Sequence, residues 1–590
     1  MFEQEKAQLE YVLRVFLKEQ DVPEPKTIQW SQIPFAGEWG MATSFFQVAA
    51  DEARAGKKLN VPQRAAELAE GAAAHLGLPA GFNRVEAVNG YLNLYFAAPD
   101  YAARVISDAL DQGDDYGRGT ASGQRMMVEF SQPNTHKAFH VGHLRNMILG
   151  AALANILEFA GHEIVRANYI GDFGKDVFKW IWNYRERHLG EEPPAEDVTR
   201  WMGDLYSEAN KQLDADPERA EKDIQGLFAA WEAGDSEIHA LWEKTRQWSL
   251  DGFNQIYDVM GIQFDHIYYE SEMEQLSKEI VAKLIADGIA NDERPEGAVI
   301  VKLDELLGNE QEHYRVLVLL RSDGSALYGA WDLALALTKF KEYDLDKSIY
   351  VVDVRQSLHF EQVFKTLELA GYKDEVANVF HLPYEVVTLP GNVVLSSREG
   401  VVVLLEELIR EATKRSAEIV AEKNPELDAD TRAQVAEAVG QAALKYPMLA
   451  RENTKIATFD WEAALDFNGQ AAPYIQYAHV RANSTLRRAE GDLNTTDAPS
   501  HELSESEIEL IDHISQFPET VQRAATEYKT LHITNYAFEL AKAFNDFYAN
   551  SPVLQADEAA RAFRLRLVAS ARVALANSLR LLGIQAPDVM

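Results

Sequence analysis

The sequence predicts a multidomain fold: an α/β Rossmann-like core, a small α+β module ahead of it and an all-helical domain behind it. Three observations predict this. At 590 residues the chain exceeds what one hydrophobic core supports and should hold three or more domains. Between about residues 124 and 400, apolar strand-like runs alternate with helical periods, the pattern of a parallel sheet with right-handed crossovers. From about residue 401 the period is helical almost throughout.

The elements follow in order. The opening stretch, MFEQEKAQLEYVLRVFLKEQ, is an amphipathic helix with Glu on its polar face. It lacks the basic start and small-residue cleavage site of a secretory signal. The first module is assigned residues 1–118. It closes with the strand-like VEAVNGYLNLYF of residues 85–96 and a helix over about 100–112, and the Gly-rich stretch 113–123 then reads as a linker. The core is assigned 119–400. It begins with a strand over 126–130, a loop carrying Pro133 and Asn134, and a helix with apolar residues at Leu144, Ile148, Leu149, Ala152, Leu153, Ile156 and Leu157. A second strand covers 164–169. A charged, Trp-bearing helical insertion spans about 175–261. VVDV of residues 351–354, a helix over 359–370 and short strands around 386–395 complete the core. Residues 401–590 form the helical domain, with a polar loop over 494–504.

Composition narrows the function classes. With 47% apolar residues the chain can bury sizeable cores, and it has no 18-residue apolar run to span a bilayer. Zero cysteines exclude disulfides and thiolate metal sites, so a soluble cytoplasmic protein is expected. A net charge of −36 repels polyanions at long range. Screening limits that reach to about 8–10 Å at physiological salt. Local basic clusters therefore still count: Arg481, Arg487 and Arg488, and the five arginines 561, 564, 566, 572 and 580.

The most informative stretch is VEFSQPNTHKAFHVGHLRN, residues 128–146. A strand feeding a helix N-terminus presents free backbone N–H groups and the positive end of a helix dipole. His140 and His143 bracket Gly142 and add further donors beside a backbone that a phosphate can approach. ATP is the expected guest.

The string VEFS-x-PN-x-x-K-x-x-HVGHLR resembles the HIGH signature of class I aminoacyl-tRNA synthetases, and among them the arginyl-tRNA synthetases. That resemblance implies joining L-arginine to arginine tRNA through an arginyl-adenylate. It implies a catalytic Rossmann-like core, an N-terminal domain touching the tRNA elbow and a C-terminal anticodon-binding domain. His140, Gly142 and His143 would receive the phosphates of ATP. Glu129, Ser131, Asn134, Tyr328, Asp332 and Gln356 match the residues that surround arginine. PYIQYAHVRANS, residues 473–484, resembles an anticodon-domain segment and implies tRNA contacts at Tyr474, Tyr477 and Arg481. The ending LRLLGIQAPDVM implies another at Met590, and Asn89-Gly-Tyr91-Leu-Asn93 implies elbow contacts at Tyr91 and Asn93. Magnesium is expected with the ATP, with no protein-built metal cage, and the family norm is a monomer.

The departures are specific. The lysine-rich KMSKS loop of the class reads Val394-Leu-Ser-Ser-Arg-Glu-Gly400 here, with both lysines replaced and Ser396, Ser397 and Arg398 retained. Lys137, three residues before His140, stands where many arginine enzymes carry a compensating lysine. Lys137 and Arg398 are thus the expected cations for the pyrophosphate. Trp331, after Tyr328, and Glu385, in the HLPYE stretch near the adenine, depart from the usual pattern. A catalytically weak or inactive paralogue that binds arginine or tRNA as a regulator or scaffold is the competing reading.

Overall fold

The structure, a computed structural model, describes residues 3–33, 37–309, 311–390, 393–394, 404–489 and 498–590. Its centre is a five-stranded sheet in the order Val379–Tyr384, Lys347–Asp353, Arg125–Glu129, Glu163–Ile170, His266–Tyr269, with every pairing parallel. The chain winds outward from Arg125–Glu129 to His266–Tyr269, then returns to the other side with Lys347–Asp353 and Val379–Tyr384. The winding therefore reverses between Arg125–Glu129 and Lys347–Asp353. Sheets of this kind bind ligands in the crevice that such a reversal opens beyond the carboxyl ends of the strands.

The strand Arg125–Glu129 is buried from Met126 onward, as its unbroken apolar run requires of a central parallel strand. It leads into the helix Val141–Phe159, which is buried on nearly every side. Gly150 lets that helix lie against the strand end, since a Cβ there would meet Phe130 at 2.3 Å. Between the second and third strands the chain inserts the helices Lys175–Asn183, Val198–Ala215, Pro217–Glu232 and Ser236–Met260. Packed aromatic rings hold them together, Trp180 against Tyr184 and Trp201, and Trp248 against both Tyr184 and Trp201.

A second sheet, antiparallel and three-stranded, pairs Val316–Leu320 with Val299–Lys302 and that with Asn291–Asp292. Sequence reading assigns no sheet there. Short apolar runs such as VIVK and VLVLL do not declare by periodicity whether they are strands or buried helix.

The N-terminal module pairs Ser31–Gln32, Gly40–Ser44, Tyr91–Phe96 and Phe82–Val88 in one antiparallel sheet backed by helices. Asn89 and Gly90, both left-handed at φ 48° and 86°, make its hairpin turn. The C-terminal part is built of the helices Leu405–Lys423, Ala429–Leu449, Ala472–Arg488, Glu505–Glu527, Leu531–Asn550 and Glu558–Leu581. That last helix grips the N-terminal module: Arg566 donates to Ser107 Oγ at 2.9 Å, Asn577 to the carbonyls of Gly113 and Tyr116, and Arg580 to that of Asp114. Arg564 is paired with Glu507 at 2.9 Å and Arg572 donates to Asn483 Oδ1 at 3.3 Å. These arginines, read from sequence as a basic surface, hold neighbouring segments together. Among the described residues no helix is long and apolar enough to cross a membrane.

Candidate active site

The loop between the strand Arg125–Glu129 and the helix Val141–Phe159 is strained and over-determined. Ser131, Gln132 and His136 have φ of 80°, 49° and 61°, left-handed values that cost a non-glycine residue about 1 kcal/mol or more each. Side chains from outside the loop hold each one. Ser131 N–H donates to Asn146 Oδ1 at 2.6 Å, Gln132 N–H to Asn168 Oδ1 at 3.0 Å, and His136 N–H to Ser249 Oγ at 2.9 Å. Asn146 also donates to the carbonyl of Val351 at 3.0 Å, so the same amide spans the reversal point of the sheet. Ser131 Oγ meets Tyr257 OH at 2.7 Å and is buried.

His140 is the N-cap of the helix. Gly142 N–H donates to His140 Nδ1 at 3.1 Å, and His140 N–H donates to His143 Nδ1 at 3.3 Å. The two imidazoles thus form a reciprocal capping box, the arrangement usually made by Ser and Glu. Burial lowers both from the ordinary histidine range, His143 the further, with the neighbouring His140 adding to the effect of burial there. A neutral ring whose Nδ1 accepts carries its proton on Nε2, so each presents Nε2–H as its donor. Phe139 stacks on His143 at 4.7 Å between ring centres and fixes the plane of that ring. Gly142 is required by this cap itself, because a Cβ there would stand 2.8 Å from the His140 ring.

Beside the loop lies a cleft of about 940 Å³ between the sheet edge and the inserted helices. Of the residues singled out from sequence, Asn134, Lys137 and Tyr328 line it, and Trp331 lies there too. Lys137 donates to Asp176 Oδ2 at 2.6 Å. Tyr328 is 65% exposed and opens the helix Tyr328–Tyr343. One turn on, Asp332 accepts from His359 Nε2 at 2.6 Å. Trp331 turns its indole N–H to Glu274 at 2.8 Å. Gln356 is exposed in the turn after the strand Lys347–Asp353. Glu129 sits apart from the cleft lining and is buried. Its carboxylate accepts from the wholly buried Lys339 and from Gln132 Nε2 at 2.8 Å. Burial drives the Lys339 ammonium well below the usual lysine range.

Sequence reading missed Glu270. It is the first residue of the helix Glu270–Ala286, directly after the strand His266–Tyr269, and it lines the cleft. A carboxylate at the carboxyl end of a parallel strand is the available signal. Burial first, then the neighbouring Asp172 and Asp332, push its carboxyl up to about 8. Tyr169 belongs to the same group, its hydroxyl buried with no partner among the described residues. Arg145 was also passed over. Its buried guanidinium donates to the carbonyls of Glu385 and Lys455 at 2.5 and 2.8 Å and of Glu452 at 3.1 Å, fixing the Glu385 backbone against the signature helix.

Ser396, Ser397 and Arg398 lie outside the described residues. The flanks are described: Val394 pairs with Thr388, and Leu404 forms a bridge with His140. In the helix Ala472–Arg488, Tyr474 packs inward on Phe538 at 5.5 Å. Tyr477 is 40% exposed, and the Arg481 guanidinium lies 4.9 Å from its ring and 5.0 Å from that of Tyr548. Met590 is partly buried against the core, its carbonyl accepting from Asn424 at 3.1 Å. In the hairpin, Tyr91 is 45% exposed with its ring edge on Phe46, and Asn93 pairs with Ala42 and Glu86.

A parallel sheet with a winding reversal, a helix opened by His-Val-Gly-His and a helical C-terminal domain define a class I aminoacyl-tRNA synthetase. The family model described as "tRNA synthetases class I (R), catalytic domain" matches residues 105–461, and that of the "DALR anticodon binding domain" matches 475–590. The chain is 36% identical over 516 residues to an arginine–tRNA ligase of Clostridium perfringens, covering 86% of this chain and 88% of that one. It is 34% identical over 520 residues to that of Treponema denticola, 86% of each. Among solved structures it superposes on Thermus thermophilus arginyl-tRNA synthetase with TM-score 0.79 at 28% identity, covering 99% of this chain and 100% of that one. The fold is also that of the Plasmodium falciparum arginyl-tRNA synthetase, at TM-score 0.75 and 20% identity over 99% of each. The chain belongs to the arginyl-tRNA synthetase family.

Proposed function

We propose that this chain is an arginine–tRNA ligase, activating L-arginine with MgATP to arginyl-adenylate and pyrophosphate and passing the acyl group to the 3′ end of arginine tRNA. The observation that carries this reading is the extent of the likeness: arginine–tRNA ligases match over 86% of the chain. The two-imidazole helix start and the acid-lined cleft beside it supply parts the chemistry needs.

Adenylation asks little covalent chemistry of the protein. Rate comes from in-line placement of carboxylate and α-phosphate and from cations around the departing pyrophosphate. The Nε2–H groups of His140 and His143 donate to phosphate oxygens as charge moves onto them, over the positive end of the helix Val141–Phe159. Lys137 and Arg398 supply the cations, and Ser396 and Ser397 are assigned to ATP binding. Magnesium enters as part of the ATP substrate.

A guanidinium is recognised by carboxylates and planar acceptors. Asp332 and Glu270 supply the charge and Tyr328 and Asn134 the flanking polar contacts. Gln356, Glu129 and Ser131 complete the cage from the ends of adjoining strands. The exposed Tyr477, with Arg481 stacked on it, is suited to an unstacked anticodon base, and Tyr474 and Met590 are assigned to the same tRNA. Tyr91 and Asn93 meet the tRNA elbow. The enzyme works as a monomer in the cytoplasm.

The test is ATP–pyrophosphate exchange with arginine, run with and without arginine tRNA, on the parent and on Lys137→Ala. Exchange that needs tRNA and collapses in the variant is expected. The replaced lysines of residues 394–400 favour the paralogue reading, and a folded chain that binds tRNA without any exchange would establish it.

A further inference from the structure

We propose that Asp176 is a positioning residue that holds Lys137 in place for the departing pyrophosphate; this rests on the reading of Lys137 as a phosphate-facing cation. Asp176 is the second residue of the helix Lys175–Asn183, where a carboxylate is favoured by the free N–H groups and the dipole of the helix. Its two oxygens are divided between two lysines. Oδ2 accepts from Lys137 Nζ at 2.6 Å and Oδ1 from Lys179 Nζ at 2.9 Å. Tyr206 lies against the same pair, its ring centre 5.3 Å from Lys137 Nζ and 4.2 Å from Lys179 Nζ, and its hydroxyl accepts from Lys179 at 3.1 Å.

The arrangement has two chemical consequences. A lysine on a loop has four rotatable side-chain bonds, and without a partner its ammonium samples many positions. Asp176 and Tyr206 remove that freedom before the nucleotide arrives, so the cation is preorganised at the cleft wall that both Lys137 and Asp176 line. Two ammoniums against one carboxylate also leave one positive charge for an anion. Burial opposes ionisation of Asp176, but the two lysines overcome it and hold its carboxyl at about 2, so the clamp stays charged across the working pH range. Neither lysine of the KMSKS pattern is present at residues 394–400, which places more of the pyrophosphate's charge on Lys137.

The test is exchange kinetics on the full chain with tRNA present, for Asp176→Asn, Asp176→Glu, Lys137→Ala and the double variant Lys137→Ala/Asp176→Asn, with thermal midpoints recorded for each. Asp176→Asn should slow exchange about tenfold or more with a raised KM for ATP and an unchanged KM for arginine. Asp176→Glu should recover part of the rate. The double variant should be no slower than Lys137→Ala, because the carboxylate acts only through that lysine. Asp176→Asn within about twofold of the parent while Lys137→Ala is impaired, or losses that multiply in the double variant, would overturn the proposal. If Lys137→Ala is as fast as the parent, the reading of Lys137 itself falls and the proposal goes with it.

Discussion

Glu129 ends one strand of the parallel sheet and Glu270 directly follows another, yet their surroundings are opposite. Glu129 is buried, met by Lys339 on one oxygen and Gln132 on the other. Glu270 lines an open cleft, faces Asp172 and Asp332, and has no hydrogen bond or ion pair among the described residues. The contrast teaches which carboxylate already meets a cation within the chain and which has none within hydrogen-bond reach among the described residues. A filled carboxylate gains little from another positive group, whereas an unpaired one beside two acids gains most.

The sharpest way to break this contrast is stability. Glu129→Gln removes the carboxylate that a wholly buried lysine and Gln132 both meet and should cost about 3 kcal/mol, read as a lower denaturant midpoint with an unchanged slope. Glu270→Gln should leave that midpoint unchanged or raise it at pH 8, since burial already penalises the ionised group. Equal losses in both variants would erase the distinction.

Catalysis gives the next effect. Glu270→Gln should raise the KM for arginine roughly 10–100-fold, the worth of a charge-assisted hydrogen bond, with the KM for ATP unmoved. The pH dependence sharpens it. The folded carboxyl titrates near 8, above its unfolded value, so protonation favours the free folded enzyme and a guanidinium favours the ionised form. Arginine affinity should therefore rise with pH up to about 8 and then level off, with protons released on binding at pH 7. Calorimetry in buffers of differing ionisation enthalpy reads that release directly, and binding without it would assign the guanidinium to other acids. The smallest effect belongs to Tyr477→Ala, which should weaken tRNA binding by about 1 kcal/mol and leave stability intact, the ring being largely free of the core.

The same contrast explains what the chain disclosed beforehand. Its strand, loop and signature helix were legible because an apolar run, a Pro-Asn turn and a helical period succeed one another within residues 126–157. Glu129 drew notice as a carboxylate on an apolar strand, but its partner Lys339 stands 210 residues away on another helix. No local pattern joins them. Glu270 escaped for a related reason: it matters only as the residue after a third strand, and HIYY is brief and set among charged helices. The two histidines were read as donors to phosphate. That they also cap each other was hidden, because imidazoles rarely fill a capping box and the pairing depends on ring orientation. Elements marked by local period and turn residues are thus legible in the sequence, and partners supplied by topology are not.

The grip of the helix Glu558–Leu581 on residues 107–116 has a consequence in time. Its hydrogen bonds join positions about 460 apart in the chain. At about 5–20 residues per second, a ribosome needs roughly 25–90 s to deliver the second half of each contact after the first. During that interval the Gly113 carbonyl keeps only the N–H of Tyr116, and the Tyr116 carbonyl is left to water. The N-terminal module reaches its finished setting only when the far helix arrives, so the order of synthesis and the order of assembly differ in this molecule.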